Sequence, residues 1–292
     1  QTLSTISGTA NDNYGLNKIE IEIKRLSDNQ YWTGSNWSAS ETWLLASQDP
    51  TWANWKYTGL TDANLNSGTS YWVVSKASDT VGNIETATEQ GVGTSTFTYK
   101  TKKTIASGNW TATATWKDAQ TPLDGDAVFI KSGHTATLND GTSNLYSLTI
   151  EDGGRVDGAA GYMVNITSWN GGGFFNYGTA SILGTCYFNG DKVIKSTDSA
   201  QVLGGSAFCK LGSTITLQSD ITFKYVGIDS GGRLDAGSRQ IKVTGNWKQD
   251  GSFTAGNSTV TFVGTDNQNI DGTNIVFANF AVNSSSTATP LK

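Results

Sequence analysis

The sequence is short of the residues on which metal and thiol chemistry depend. Its 292 residues include one histidine, one methionine and two cysteines. A zinc site needs three or four nitrogen or sulfur ligands, so this count argues against a His/Cys zinc centre. Two cysteines are also too few for the disulfide framework that holds many small secreted domains together.

Charge and long apolar runs are scarce as well. Charged residues make up 15% of the chain, below the usual level of about 25%, and uncharged polar residues take their place. The net charge of -5 argues against nucleic acid as a partner, because binding phosphates needs a clustered basic surface. No run of about 18 apolar residues is present, which argues against membrane insertion within this chain. This composition favours an extracellular or cell-surface protein.

Residues 1–100 have the pattern of short β-strands. The segment LNKIEIEIKRL alternates apolar and polar residues with a period of two, which is typical of a half-buried strand. TSYWVVSKASD and STFTYK are further strands, and turn signals such as NDNYG and NSGTS separate them. About seven short strands in about 100 residues predict an immunoglobulin-like (Ig-like) β-sandwich.

Two stretches of this region resemble the bacterial Ig-like repeats of large secreted surface proteins. They are ISGTANDNYGLNKIEIEI near the start and YWVVSKASDTVGNIE near the end. In the second stretch, the A-x-D-x-x-G-N turn of such repeats is matched by Ala77, Asp79, Gly82 and Asn83. The resemblance covers roughly the first third of the chain. It implies a fold and a surface location but no particular ligand.

Residues 101–292 have a different texture, with very short strands punctuated by glycine. YSLTIEDGGRVDG recurs as VGIDSGGRLDAG, and TASILG, which starts at Thr179, recurs as SAQVLG, which starts at Ser199. A repeat of about 20 residues is typical of stacked coils, in which each coil buries its apolar face against its neighbours. We therefore predict an all-β chain in which a right-handed parallel β-helix, or β-solenoid, follows the Ig-like region after a linker at residues 98–110.

The start of the second region resembles the opening segment of surface-protein β-solenoids, including the so-called G8 domain. The segment is GNWTATATWKDAQTPLDGDAVFIKSGHTATLN. The positions that match the pattern are Trp116, Pro122, Gly125, Asp126, Val128, Ile130, Gly133 and Leu138, with Ala136 where valine is usual. Later coils resemble those of giant bacterial surface and adhesin-like proteins. The resemblance implies an architecture and is weak for activity.

The last predicted coil carries apolar side chains that are exposed to solvent unless another element packs against them. They are Val276, Phe277, Phe280 and Val282. An open solenoid end exposes apolar side chains and unpaired backbone groups. We therefore expect the solenoid to continue beyond residue 292 or to be capped by another module or subunit.

The two cysteines fit a coil of this size. The spacing between Cys186 and Cys209 is slightly longer than the spacing between the repeats at Thr179 and Ser199, and so is close to one coil. We therefore expect the cysteines on adjacent coils, either as a disulfide or as two buried thiols. An extracellular setting favours the bond, although disulfide geometry requires Cα atoms within about 7 Å.

Six tryptophans lie in the Ig-like region, more than the core of a small sandwich requires. Three of them, Trp32, Trp37 and Trp43, fall in a segment that we expect to be a long connection between strands, not a helix. We interpret the tryptophans mainly as core and domain packing. The alternative is that one or two indoles are exposed and contact a glycan or a protein partner.

Two turns of the Ig-like region carry the oxygen ligands that calcium prefers. NDNYG offers Asp12 and Asn13, and SDTVGN offers Asp79 and Asn83. Asp and Asn also cap turns through their own side chains, which is the commoner role. Calcium is therefore the one cofactor that the sequence leaves open.

Catalytic residues would have to come from the carboxylates of the solenoid, because β-helix lyases and hydrolases use such groups. The candidates are the acidic residues of the glycine-rich turns: Asp152, Asp157, Asp229 and Asp235. These turns occur twice, with Arg155 and Arg233 repeated alongside, whereas a catalytic centre would occur once. His134 has no nucleophile motif with which to form a triad. We therefore predict that the chain is not an enzyme.

These observations favour a structural or adhesive function. The chain would be a stalk, S-layer or filament segment of a large extracellular bacterial surface protein. Its partners would be neighbouring modules of the same polypeptide or identical subunits, with surface glycans as a further option. The alternative is a carbohydrate-active module, either a glycan-binding unit that uses the tryptophans or a β-helix polysaccharide lyase or hydrolase.

Overall fold

In a computed structural model the chain is almost entirely β, with N-terminal antiparallel sheets and a β-solenoid of about 7 turns. The predicted fold class is confirmed at this level. The residues that the structure describes are 3–85, 93–159, 161–167, 171–197, 202–210 and 212–283. Within these ranges no helix is long and apolar enough to cross a membrane. The chain divides into two compact units, Gln1–Thr101 and Lys102–Lys292.

The described part of the N-terminal unit contains nine strands and one turn of 3-10 helix, Asp62–Asn64. The strands are β1 (Ile6–Thr9), β2 (Leu16–Arg25), β3 (Gln30–Trp32), β4 (Trp37–Ser38), β5 (Leu44–Leu45), β6 (Ser47–Gln48), β7 (Asn54–Tyr57), β8 (Ser70–Asp79) and β9 (Thr94–Thr98). One sheet has the order β1-β7-β6, and the larger sheet has the order β4-β3-β2-β8-β9, with β5 also pairing to β2.

The central strand of the larger sheet is β2, and its alternating sequence explains its place. Ile19, Ile21 and Ile23 are at most 1% exposed, because every second side chain of a strand points to the same face. Trp55 lies on β7 of the smaller sheet and packs in the same cluster of buried residues. The two antiparallel sheets therefore share one hydrophobic core.

The described part of the second unit contains twenty-one strands and two 3-10 turns, Thr113–Thr115 and Lys117–Ala119. The first eleven strands are β10 (Thr101–Lys103), β11 (Gly108–Asn109), β12 (Ala127–Ile130), β13 (Thr135–Leu138), β14 (Ser147–Ile150), β15 (Arg155–Gly158), β16 (Val164–Ile166), β17 (Gly173–Asn176), β18 (Thr179–Ile182), β19 (Cys186–Phe188) and β20 (Lys192–Ser196). The other ten are β21 (Val202–Cys209), β22 (Thr214–Leu217), β23 (Ile221–Ile228), β24 (Arg233–Asp235), β25 (Gln240–Val243), β26 (Trp247–Gln249), β27 (Ser252–Thr254), β28 (Thr259–Phe262), β29 (Ile270–Gly272) and β30 (Asn279–Val282).

These strands stack in three sheets. The eight-stranded sheet has the order β10-β12-β14-β17-β20-β22-β24-β27, and the four-stranded sheet has the order β11-β13-β15-β18. The nine-stranded sheet follows β16-β19-β21-β23-β25-β28-β30, with β26 and β29 alongside. Neighbouring strands are parallel, as in β12 with β14 and in β28 with β30. The solenoid was predicted from the repeats, whereas its right-handed sense stays a prediction.

Each coil covers the apolar side chains of the next. Leu148, Phe174 and Ile194 are register partners in three successive coils, and each is at most 1% exposed. The length of chain between register partners differs from coil to coil, and it is shorter from Ile215 to Leu234 than from Leu148 to Phe174. Insertions at the corners change the length of a coil, but they leave the inward columns of apolar side chains unchanged.

Two buried tryptophans pack against each other in the first coil. The rings of Trp110 and Trp116 meet edge to face with centroids 4.9 Å apart, and Trp116 Nε1 donates to the carbonyl oxygen of Trp110 at 2.7 Å. Trp116 also forms an antiparallel bridge to Thr104, which directly follows β10. This antiparallel contact interrupts the parallel stacking at the start of the solenoid.

The cysteines lie on adjacent coils, but they are not bonded. Cys186 is the register partner of Ala207, and Cys209 is the register partner of Phe188. The two thiols are therefore two residues out of step along neighbouring strands, and both are free and buried. The disulfide alternative is thus wrong, and the buried-thiol alternative describes the structure.

Candidate functional site

The aromatic segment at residues 32–43 is irregular and not helical, as predicted, but it contains a hairpin that the sequence did not predict. Strands β3 and β4 pair antiparallel, with Trp32 opposite Trp37. Gly34 adopts a φ of 95° in the turn between them, a conformation that favours glycine. The two indole rings lie 5.4 Å apart between centroids and are tilted by 55°.

Trp32 and Trp37 lie on the core side of the larger sheet. Trp32 is 2% exposed, whereas Trp37 is half-buried and packs on Tyr71 with ring centroids 5.5 Å apart. The Trp37 Nε1 donates to the carbonyl oxygen of Asn64 at 3.0 Å. The guanidinium of Arg25 lies 4.7 Å from the centroid of the Trp37 ring. A cation of the protein itself therefore stacks on this indole.

Trp43 lies on the opposite face of the sheet. Its neighbour Leu44 is the register partner of the core residue Ile21, and successive side chains of a strand alternate between faces. The Nζ of Lys76 lies 3.7 Å from the centroid of the Trp43 ring, and Trp43 Nε1 donates to Glu41 Oε1 at 2.9 Å. The three tryptophans therefore do not form one platform.

A buried carboxyl near this segment was missed in the sequence. Glu22 occupies a polar position in the alternating sequence of β2. Even so, it is only 4% exposed, and its Oε2 has no hydrogen-bond partner among the described residues. Burial raises the pKa of Glu22 to about 7, helped by the charge and the hydrogen bond of Glu41 and opposed by the charges of Lys24 and Lys76. The strand pattern could not reveal this burial, because Glu41 comes from a stretch without strand periodicity.

The predicted calcium ligands act as turn caps. Asp79 Oδ1 accepts hydrogen bonds from the backbone N–H groups of Val81 at 3.0 Å and Asn83 at 2.8 Å. Asp12 Oδ1 accepts one from the N–H of Tyr14 at 2.7 Å. Burial acts to raise the pKa of Asp79, but the hydrogen bonds from Asn83 and the turn amides outweigh it and lower that pKa. The turn itself thus stabilises this carboxylate.

Asp12, Asp79 and Asn83 line one pocket of about 460 Å³ together with Glu85, while Asn13 is exposed. Glu85 Oε2 accepts a hydrogen bond from a backbone N–H on β8 at 3.1 Å. In the part of the chain that the structure describes, no three His, Cys, Asp or Glu side chains are grouped to hold a metal ion. The pocket thus brings most of the predicted ligands together, and calcium binding there stays a prediction.

The two copies of the glycine-rich turn lie at different corners of the solenoid. Asp157 is on β15 of the four-stranded sheet, whereas Asp235 is on β24 of the eight-stranded sheet. Each pairs with the arginine two residues before it: Arg155 Nε donates to Asp157 Oδ1 at 2.7 Å, and Arg233 Nη2 donates to Asp235 Oδ2 at 3.5 Å. The duplication is therefore local, and its copies are not stacked in one sheet.

The glycines of these turns have a clear steric role. Gly153 and Gly231 both adopt a φ of 74°, a left-handed conformation that favours glycine. A Cβ on Gly232 would lie 2.6 Å from the carbonyl oxygen of Cys209 in the preceding coil, and Gly154 is crowded in the same way. The Gly-Gly pair recurs because two coils must pass each other closely at a sharp corner.

The remaining candidates from the sequence sit in these corners. Asp152 is exposed in the turn between β14 and β15, and Asp229 accepts a hydrogen bond from Lys210 Nζ at 3.0 Å. His134 places Nδ1 2.9 Å from Thr104 Oγ1 of the neighbouring coil. Both polar contacts link adjacent coils.

A groove on the outside of the solenoid was missed entirely. It has a volume of about 590 Å³ and is lined by Asn144, Asn165, Thr167, Tyr187, Asn189, Lys210 and Asp229. Asn144 bridges Asn165, which is in turn the register partner of Tyr187, so the lining crosses successive coils. Lys210 Nζ lies 4.9 Å from the centroid of the Tyr187 ring. Sequence reasoning missed it because its residues are about one coil apart in the chain.

No protein-family model, curated protein or solved structure matches this chain. The fold established for it is an N-terminal pair of antiparallel sheets and a β-solenoid. Any statement of function must therefore come from the residues and contacts described above.

Proposed function

We propose that this chain is a structural segment of a large extracellular bacterial surface protein, in which an Ig-like unit precedes a β-solenoid. A stalk, S-layer or filament segment is the form that we favour. The proposal depends on the continuous inward stack of apolar side chains, of which Leu148, Phe174 and Ile194 form one column. Because each coil is covered by its neighbours, stability accumulates along one axis, which suits a spacer or load-bearing element.

The G8-like opening segment supports this proposal. The apolar positions that carry the resemblance, Trp116, Val128, Ile130 and Leu138, are all buried in the core of the first coils. Side chains that define a family pattern are expected to lie inside when the pattern encodes an architecture. The burial of these four positions is therefore what we expect of a solenoid of the surface-protein type.

The turn near the end of the N-terminal unit supports the Ig-like assignment. Asp79 caps the turn through the N–H of Asn83, and Gly82 adopts a φ of 96°. These are residues through which the unit resembles bacterial Ig-like repeats, and the conformation of the turn depends on them. Two antiparallel sheets around a shared core are the architecture that the resemblance implies.

The outward positions of the solenoid support an extracellular location. On β13, β18 and β28 they are occupied by uncharged hydroxyl side chains, namely Thr135, Thr137, Ser181, Thr259 and Thr261. Only 15% of all residues are charged. A polar surface with few charges suits an extracellular protein better than a cytosolic enzyme.

Single-molecule force spectroscopy on the chain held between two inert handles tests the load-bearing role. We expect the solenoid to unfold in steps that each release one coil or a small number of coils. One coil extends by roughly 65–95 Å when it is fully unravelled. Release of the whole solenoid in one low-force event would contradict the proposed role.

Glycan binding is the second candidate, and the groove at Tyr187 favours it over the tryptophans. A half-buried aromatic ring beside the amides of Asn144 and Asn165 offers an apolar surface for a sugar ring and polar groups for its hydroxyls. By contrast, Trp37 packs on Trp32 and Tyr71 at the core, and Trp43 lies apart from it on the other face of the sheet. Adhesion through this groove is compatible with the structural role.

Isothermal titration with a panel of acidic and neutral polysaccharides tests this second candidate. Tyr187→Ala should abolish any binding at the groove. Tyr177→Ala is the matched control, because Tyr177 is also half-buried and has a lysine, Lys195, 5.6 Å from its ring centroid. Equal loss in both variants, or binding that survives in Tyr187→Ala, would rule out the groove as the glycan site.

A further inference from the structure

We propose that the side-chain amine of Lys102 and the side-chain carboxyl of Asp118 condense to an amide bond inside the folded chain. Both residues belong to the second compact unit. The inference goes beyond the proposed structural function and does not depend on it. It is carried by a buried amine with few hydrogen-bond acceptors, by the carboxyl beside it and by the backbone conformation that holds this carboxyl in place.

Lys102 is a lysine at a position where a charged side chain is costly. It lies on β10, the first strand of the eight-stranded sheet, and is 0% exposed. Its Nζ donates to the carbonyl oxygen of Lys117 at 3.2 Å, and this is the only hydrogen bond of Nζ among the described residues. An ammonium group has three N–H donors. A charged Lys102 would therefore leave two buried donors without an acceptor, which destabilises the fold.

The carboxyl of Asp118 lies beside this amine without accepting a hydrogen bond from it. Lys102 Nζ and Asp118 Oδ2 are 3.9 Å apart, and the Asp118 side chain is only 17% exposed. Burying two charges without a close hydrogen bond between them is unfavourable. Condensation removes both charges. The amide that results has one N–H donor, which matches the one acceptor on Lys117.

The backbone holds the carboxyl of Asp118 in this place. Asp118 has a φ of 69° and a ψ of 15°, and Ala119 has a φ of 49°. Two consecutive residues other than glycine in the left-handed region are uncommon, and they persist only where the surrounding structure imposes them. Because the preceding carbonyl, that of Lys117, accepts the hydrogen bond from Nζ, one turn positions both the amine and the carboxyl.

Burial also makes Lys102 more reactive. Burial lowers the pKa of Lys102, and the charges of Asp118 and Asp126 oppose this shift without cancelling it. The uncharged amine is the form that attacks carbon, and desolvation is a known way of activating lysine. Two groups that the fold holds side by side also react as if they were present at very high concentration. This proximity offsets the low reactivity of a carboxyl group.

The reaction needs no further reactant. Nζ of Lys102 forms a bond to Cγ of Asp118, and the bond between Cγ and one carboxyl oxygen breaks. That oxygen leaves as water with two of the three ammonium protons, and the third proton stays on the amide nitrogen. The chain therefore becomes lighter by the mass of one water molecule.

Mass spectrometry of the purified, denatured chain tests the bond. We expect the main species to be lighter than the sequence by one water molecule. Trypsin then locates the loss, because it cuts after Lys117 and so places Asp118 and Lys102 in different peptides. Residues 101–103 and 118–131 should appear as one linked species, lighter by one water molecule than the two peptides together.

Two variants serve as a matched pair. Lys102→Met should have the full mass of its sequence, whereas Lys103→Met, at the next residue of β10, should still lack one water molecule. If Lys102→Met does not fold, the mass and the peptides of the original chain decide the question. A full sequence mass, or a loss of water that is located elsewhere, would overturn the inference. The force experiment measures a different event, so the bond and the load-bearing role can fail separately.

Discussion

Phe188 and Cys209 are register partners on adjacent coils, and this pairing keeps Cys209 two residues out of step with Cys186. Both thiols point into the core of the solenoid and are buried. Burial raises the pKa of Cys186 to about 12 and also raises the pKa of Cys209, to which the charge of Asp229 adds. The thiols therefore behave as small apolar side chains.

We predict that neither cysteine reacts with iodoacetamide in the folded protein at pH 8. The thiolate is the reactive form, and these thiols are both inaccessible and protonated. Mass spectrometry should show no adduct on the native chain and two adducts after denaturation. One rapid native adduct would contradict the buried positions, and a denatured chain that takes up no label without reductant would indicate a disulfide.

We predict unequal effects of removing two indoles. Trp37→Ala should lower the free energy of unfolding by about 2–4 kcal/mol, because Trp37 packs on Trp32 and Tyr71 at the core. Trp43→Ala should lower it by only about 1 kcal/mol, since its main described ring contact is the cation of Lys76. Urea denaturation measures both values. A larger loss for Trp43→Ala would show that the face assignment is wrong.

The raised pKa of Glu22 predicts a pH dependence of stability. The folded state keeps Glu22 protonated up to a pH of about 7, because burial raises its pKa to about 7 from the ordinary value of 4.5. The folded state therefore holds more protons in this window, and stability from this group is present at low pH and falls as pH rises from about 4.5 to 7. The loss amounts to about 1–3 kcal/mol.

Glu22→Gln should remove this slope and unfold at higher urea than the original chain at pH 8. Glu20→Gln is the control, because Glu20 lies on the same face of β2 and pairs with Lys18 at 3.0 Å. That variant should keep the slope. If Glu22→Gln leaves the pH dependence of the urea midpoint unchanged, the buried Glu22–Glu41 contact does not exist in solution.

The close packing at the glycine-rich corners predicts that two glycine-to-alanine substitutions differ in their effect on stability. Gly232→Ala should destabilise the solenoid by about 1–3 kcal/mol, because the new Cβ would lie 2.6 Å from the carbonyl oxygen of Cys209. Gly141→Ala should change stability by less than about 0.5 kcal/mol, since its Cβ would meet only the Met163 carbonyl oxygen at 3.8 Å. Thermal unfolding compares the two variants, and similar midpoints would argue against the close passage of coils.

Local periodicity accounts for the parts of the fold that the sequence predicts well. The alternation around Ile19, Ile21 and Ile23 identifies β2, because burial of one strand face leaves a period of two. The recurring Gly-Gly turns identify stacked coils. Both signals can be recognised within a few residues or within one repeat. Neither requires knowing which residues of neighbouring coils are register partners.

The parts that the sequence does not predict depend on register between distant residues. A spacing of close to one coil places Cys186 and Cys209 on adjacent coils, but variable corner insertions shift one strand by two residues against the other. The two copies of the Gly-Gly-Arg turn look equivalent, yet Arg155 and Arg233 belong to different sheets. The burial of Glu22 likewise depends on Glu41, which carries no strand pattern.

The central claim is that this chain serves as a structural segment on the outside of the cell. Immunogold labelling tests it most directly, with an antibody raised against the purified chain and applied to intact and permeabilised cells that produce it. The account predicts dense labelling on intact cells, in a layer or along filaments, with little increase after permeabilisation. Labelling that appears only after permeabilisation would contradict it.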